Sequence, residues 1–231
     1  MTKKTHGLLP LLLLALPLAL ASCNDDDHAV DYTKYYAWRD RNTAAIDRLG
    51  EGLRQHGAQA YFADSVASAL EPYTPGGDRT YCQPSFYHVL EAADEADLRA
   101  RHRWFTPYFT STLRCHYTLY DTESVLDRLD GTDLCDLEAM DAIFLDGQTD
   151  TLQSMQVEYF ENFTCASVVK GWADLLMQMH EGDSWVVAIP WQLGYGQTGQ
   201  ASGGIAPYST LFFRLKLVDI IRWGGTVDET E

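Results

Sequence analysis

The period of the apolar positions changes along this chain, and each change predicts a change of element. Leu8 to Leu20 is an almost unbroken apolar run. From Tyr32 to Leu70 the spacing is helical: Ile46, Leu49 and Leu53 fall at i, i+3 and i+7, and Phe62, Val66 and Leu70 at i, i+4 and i+8. Gly57 predicts a break into two helices. Pro72, Pro75, Gly76, Gly77 and Asp78 then predict a turn or linker. Beyond it the period falls to two. Phe86, His88 and Leu90 alternate with Tyr87 and Val89; Leu113, Cys115, Tyr117 and Leu119 alternate with Arg114, His116 and Thr118; Leu211, Phe213, Leu215 and Leu217 alternate with Phe212, Arg214 and Lys216. Trp185 to Ile189 is continuously apolar, as a strand covered on both faces is. One helix interrupts the strands, from about Val168 to His180, with Val168, Trp172, Leu175, Leu176 and Met179 on one stripe and Gly182 as its stop. Between Asp121 and Gln156, Leu134, Leu137, Met140 and Phe144 have helical spacing among the turn signals Asp130-Gly131 and Asp146-Gly147. This reads as a long insertion with some helix. Strands wrapped around one short helix make an α+β domain.

The ends change the picture. Lys3 and Lys4 precede the apolar run, and Leu20-Ala21-Ser22 leads directly into Cys23. Residues 1–22 read as a signal peptide with a lipoprotein box, which makes Cys23 the lipidated first residue of the mature chain. The run is too short for a membrane span and holds Pro10 and Pro17. Asn24, Asp25, Asp26 and Asp27 follow as an acidic tether (23–31), so the expected location is a lipid anchor in the outer membrane, on its periplasmic or its cell-surface face.

The chain has 17 basic and 33 acidic residues, a formal charge of −16. Loss of residues 1–22 removes two lysines and no acid, leaving 15 against 33, or −18. A basic surface for nucleic acid is excluded, and anionic headgroups are repelled, so the acyl chain alone holds the membrane. Cys82, Cys115, Cys135 and Cys165 remain, with long spacings and no CxxC; disulfides and buried thiols both stay open. His88, His102, His116 and His180 fall in different elements without metal-ligand spacing. No Ser/His/Asp elbow and no phosphate loop occurs, and no cofactor is expected.

Gly171-Trp172, Leu176, Met179, Gly182-Asp183, Val187 to Pro190, Leu193 to Gly196 and Ile205 to Phe213, with Thr110 to Thr118 upstream, resemble the FKBP-type peptidyl-prolyl cis/trans isomerases. The likeness covers roughly residues 81–221. It implies an antiparallel sheet wrapped around one short helix, preceded by an N-terminal helical extension. The segment with Trp38, Arg39, Arg41 and Asn42 (32–80) resembles the helical leader of FKBP-type lipoproteins of the Bacteroides group, and the acidic tether resembles the surface-export signal of that group. The isomerase domain would then span 81–221 with an insertion at about 128–156, and 222–231 would be a tail.

The resemblance also implies site residues. Trp172 would be the pocket floor, Tyr117, Tyr159, Val168, Val169, Ile205 and Phe213 its walls, and Tyr195 the hydroxyl that holds the substrate carbonyl. From pattern alone Trp172, Val168 and Phe213 suit core and pocket equally. The chain departs from the family in having Leu119 after His116-Tyr117-Thr118, in Ile205-Ala206-Pro207, and in lacking a Phe-Asp pair. Asp127 is the candidate for that pair's Asp, with Leu134-Cys135-Asp136 a rival placement. The implied activity is cis/trans isomerisation of X-Pro bonds, assisting the folding of exported proteins by non-covalent stabilisation of the twisted amide. X-Pro segments are the expected partners, and macrolide-type FKBP ligands are further occupants of such a pocket. The alternative is a non-catalytic binding or chaperone module.

Overall fold

In the computed structural model, which describes residues 31–68, 82–145, 155–156 and 161–221 (backbone only for 155–156 and 161–163), the alternating segments pair into one sheet. Its strands are β1 (Asp64–Val66), β2 (Ser85–Glu91), β3 (Thr112–Leu119), β4 (Met155–Gln156), β5 (Glu161–Thr164), β6 (Ser184–Ile189) and β7 (Leu211–Ile221). The order is β1-β2-β6-β7-β3-β4, with β5 also on β3, and every pairing is antiparallel. The signal peptide, Cys23, the acidic tether through residue 30, Tyr159 and the 222–231 tail lie outside the described residues.

Both faces of the sheet are covered. Alternation along β6 and β7 sends Val186, Ala188 and Phe212 to one apolar cluster and Trp185, Val187, Ile189, Phe213 and Leu215 to another. All of β6 is buried, which accounts for its unbroken apolar run. The first cluster is roofed by α1 (Tyr36–His56), α3 (Thr122–Leu129) and α4 (Leu137–Phe144), and the second by α5 (Lys170–Leu176). The helical leader is therefore no separate layer. Ile46 and Leu49 of α1 share a core with Phe86, Phe212 and Phe144, and Tyr32–Glu231 forms one compact unit.

Several elements differ from the sequence expectation. Gly57, at φ +56°, ends α1, its N–H donating to Leu53 O. The second helix expected after it does not form. Ala60 is extended, Tyr61 N donates to Leu134 O at 2.7 Å, and Asp64–Val66 pairs with β2 as β1. Tyr61 and Phe62 are buried against Phe144, so tertiary pairing overrides a helical spacing that packing did not need.

The insertion holds two helices, each started by an aspartate cap: Asp121 accepts from Ser124 N at 2.9 Å and Asp136 from Ala139 N at 3.1 Å. The short helix α2 (Glu95–Ala100) escaped the periodicity because Leu98 is its one buried residue. The central helix is shorter than expected. Thr164 and Ser167 bond reciprocally and close a tight turn, so Val168 and Val169 stay extended before α5 begins. Gly171 lets α5 approach β6, since a Cβ there would lie 2.3 Å from Ile189 Cγ2.

Candidate functional site: an aromatic cluster under α5

Three rings meet where α5 crosses the ends of β3 and β7. Trp172, in the first turn of α5, stands edge-on to Tyr117 of β3 with ring centroids 5.0 Å apart. It lies 5.1 Å from Phe213 of β7, and Tyr117 and Phe213 are 6.1 Å apart. Aromatic pairs favour such separations and tilts, because the positive edge of one ring meets the negative face of another. Trp172 and Phe213 are nearly buried, at 6% and 7% exposure.

Val168, Val169, Tyr195 and Ile205 pack half-buried against the larger apolar core to which Trp172 and Phe213 belong. The turn that delays α5 presents the two valines. Tyr195 and Ile205 come from the loop between β6 and β7. There Gly194 ends a 3-10 turn, Gly196 takes φ +64°, and Ile205 is held by paired backbone bonds to Gln200 at 2.8 and 3.0 Å. Burial raises the pKa of the Tyr195 hydroxyl, so it stays a neutral donor at physiological pH.

Asp127 is not part of this arrangement. It is exposed on α3 and bonds Arg41 of α1 at 2.6 Å, while Asp130 bonds the same guanidinium at 3.0 Å. The physical reason is local: Asp121 caps a helix, and α3 turns Asp127 towards Arg41 of α1. The rival, Asp136, is spent as the cap of α4. Tyr159 lies outside the described residues.

Leu119 and Phe105 also pack against the apolar core that holds Trp172 and Phe213. Leu119 was legible, since it shares a strand face with Tyr117 two residues earlier. Phe105 sits in an irregular segment with no period to read. The cluster offers apolar faces and a hydroxyl donor. Among the described residues no group of three or more His, Cys, Asp or Glu is arranged to hold a metal ion. Cys82, Cys115, Cys135 and Cys165 are free thiols, and burial pushes Cys165 up to about 11.

Residues 110–218, which carry Tyr117, Trp172, Tyr195, Ile205 and Phe213, match the sequence profile of the FKBP-type peptidyl-prolyl cis-trans isomerases. This stretch, just under half of the chain, is similar to an FKBP-type isomerase domain. Over 53 residues it is 49% identical to the macrophage infectivity potentiator of Trypanosoma cruzi, covering 23% of this chain and 26% of that protein. Over 59 residues it is 39% identical to the FKBP-type 22 kDa peptidyl-prolyl cis-trans isomerase of Escherichia coli, covering 26% and 28%. Over 58 residues it is 34% identical to a protein of Legionella longbeachae named outer membrane protein MIP, covering 25% and 24%. The matched stretch thus spans about a quarter of each relative. A solved peptidyl-prolyl cis-trans isomerase from Pseudomonas syringae superposes with a TM-score of 0.41 at 17% identity, covering 78% of this chain and 96% of that one.

Proposed function

We propose that this chain catalyses cis/trans isomerisation of X-Pro bonds in polypeptides, with the aromatic cluster as its site. The observation that carries this reading is the convergence of Tyr117, Trp172 and Phe213 within 5.0–6.1 Å in an FKBP-type domain. Rotation about the amide faces a barrier of about 18–20 kcal/mol from resonance. Cis and trans differ by only about 0.5–1 kcal/mol at X-Pro, so a catalyst needs to favour the twisted state alone. Twisting breaks conjugation and lowers the charge separation between oxygen and nitrogen. An apolar ring-lined pocket therefore penalises the twisted amide less than the planar one. Trp172 would floor the proline ring, Tyr117 and Phe213 would flank it with Val168, Val169 and Ile205, and the Tyr195 hydroxyl would donate to the preceding carbonyl. No covalent intermediate is needed.

The lipoprotein box supports a further part of the reading: an exported chain anchored through Cys23 to the outer membrane, acting on exported polypeptides. The name of the Legionella relative agrees with a membrane association.

NMR exchange spectroscopy on a capped Ala-Pro peptide tests the activity. The full chain in detergent micelles should accelerate exchange, and a macrolide-type FKBP ligand should compete. Binding of the peptide with an uncatalysed rate would leave the binding-module reading, which the remote position of Asp127 favours. For the anchor, Cys23→Ala should release the protein into the soluble fraction; retention in the membrane would refute lipidation.

A further inference from the structure

A groove of about 340 Å³ opens beside the aromatic cluster. Tyr35 and Trp38, at the start of α1, line one side, Leu119 to Glu123 line another where β3 runs into α3, and Gly203 to Ala206 complete it. Leu119 and Ile205 both line the groove, and both pack against the apolar core that contains Trp172 and Phe213. Leu119 is also the cross-strand partner of Phe213. The groove therefore adjoins the strand pair that carries Phe213.

The walls are held in place. Trp38 Nε1 donates to Ser209 Oγ at 3.0 Å. Asn42, fully buried, donates to Trp38 O at 2.9 Å and accepts from Thr210 N at 2.7 Å. Thr122 Oγ1 donates to Thr210 O at 2.7 Å, tying the α3 side to the same segment. Such a preformed cleft loses little order on binding.

Its chemistry is mixed in a specific way. Trp38 and Leu119 supply apolar surface, Asp121 and Glu123 supply carboxylates, and no Lys, Arg or His is among its lining residues. The Asp121 carboxylate caps α3 and offsets the positive end of that helix, which would otherwise repel a cation. An occupant that uses both kinds of surface has an aliphatic stem and a cationic head, as Lys and Arg do.

We propose that this groove is a second subsite, formed in part by the leader helix, which binds the polypeptide flanking the X-Pro bond and prefers a basic side chain there. The inference rests on the isomerase reading for the location of the X-Pro bond, and its test separates the two. Peptides with a single Ala-Pro bond, flanked on both sides by lysines or by glutamates, are titrated into the full chain in micelles. The lysine peptide should bind about three- to fivefold more tightly at moderate salt, the scale of an exposed ion pair. Glu123→Lys should abolish that preference. Glu138→Lys, which changes net charge equally at an exposed position on α4, should leave it intact. Equal binding of the two peptides overturns the proposal, as does a preference that survives Glu123→Lys or is lost equally in Glu138→Lys. Failure to accelerate exchange in the capped Ala-Pro peptide overturns the isomerase reading alone. With the lysine preference intact, that outcome leaves the groove as the subsite of a binding module.

Discussion

The two faces of the sheet start from the same strands and end differently. On the face roofed by α1, α3 and α4, Tyr61, Phe144, Tyr120 and Phe212 interlock at centroid distances of 5.5–6.1 Å and are almost wholly buried. Their polar atoms are satisfied: Tyr61 OH donates to Asp141 at 3.0 Å and Tyr120 OH to Phe144 O at 2.5 Å. On the other face the short helix α5 covers Trp172 and Phe213 but leaves Tyr117, Val168, Val169, Tyr195 and Ile205 half exposed. Aromatic side chains alone thus do not distinguish a core from a site. On the second face α5 begins only at Lys170, after the extended Val168 and Val169.

The comparison can be tested from each face. The largest expected effect is on the closed one: Phe144→Ala should cost about 3–5 kcal/mol in denaturant unfolding. Exchange activity per folded molecule should be unchanged. A specific loss of activity there would mean that the faces are coupled. On the open face, Trp172→Leu should lower kcat/KM for an X-Pro peptide about a hundredfold while the chain remains folded by circular dichroism, about 2.7 kcal/mol of transition-state stabilisation. An unaltered rate would make Trp172 a core residue only.

The closed face should also respond to alkali. Burial pushes the Tyr120 hydroxyl up to about 12, against an ordinary value near ~10. Below the unfolded value both states keep the proton and the contribution to stability is complete. As pH rises from there towards the folded value, only the unfolded chain ionises, so stability falls by up to about 2–3 kcal/mol. Tyr120→Phe should make that fall shallower in urea midpoints measured between these pH values, leaving the share of Tyr61, whose hydroxyl pKa burial also raises. The smallest effect is expected from Tyr195→Phe on the open face. If Tyr195 holds the substrate carbonyl as proposed, the loss of one hydrogen bond, worth about 0.5–1.5 kcal/mol, should appear as a severalfold change in kcat without a shift in stability.

The leader packs onto the rest of the fold although the sequence marks it off as separate. Pro72 to Asp78 looks like a linker, yet Asn42 and Trp38 bond the segment that precedes β7, and Trp191 Nε1 donates to Thr43 Oγ1 at 3.2 Å. Leu119 and Ala206, the positions at which the chain departs from the family pattern, line the same groove as Trp38. None of these contacts has a local signature, because each joins residues more than 80 positions apart.

The strands at 85–91, 112–119, 184–189 and 211–221 were legible because a half-buried or fully buried strand imposes its period on its own residues. Trp172, Tyr117 and Phe213 could be read as one site from family resemblance, and their ring contacts depend only on elements that periodicity had already identified. The second helix after Gly57 failed because a three-residue spacing cannot reveal that β2 has an unpaired edge to offer. Asp127 failed because Asp121 caps a helix that turns it towards Arg41. By itself, then, the sequence determined four strands of the sheet and the buried helix, since those rest on short-range patterning of apolar side chains, while the grouping of Tyr117, Trp172 and Phe213 came from family resemblance. Only the tertiary structure decided which face stays open, what the leader touches and where each carboxylate ends up. Those depend on long-range packing that leaves no period in the chain.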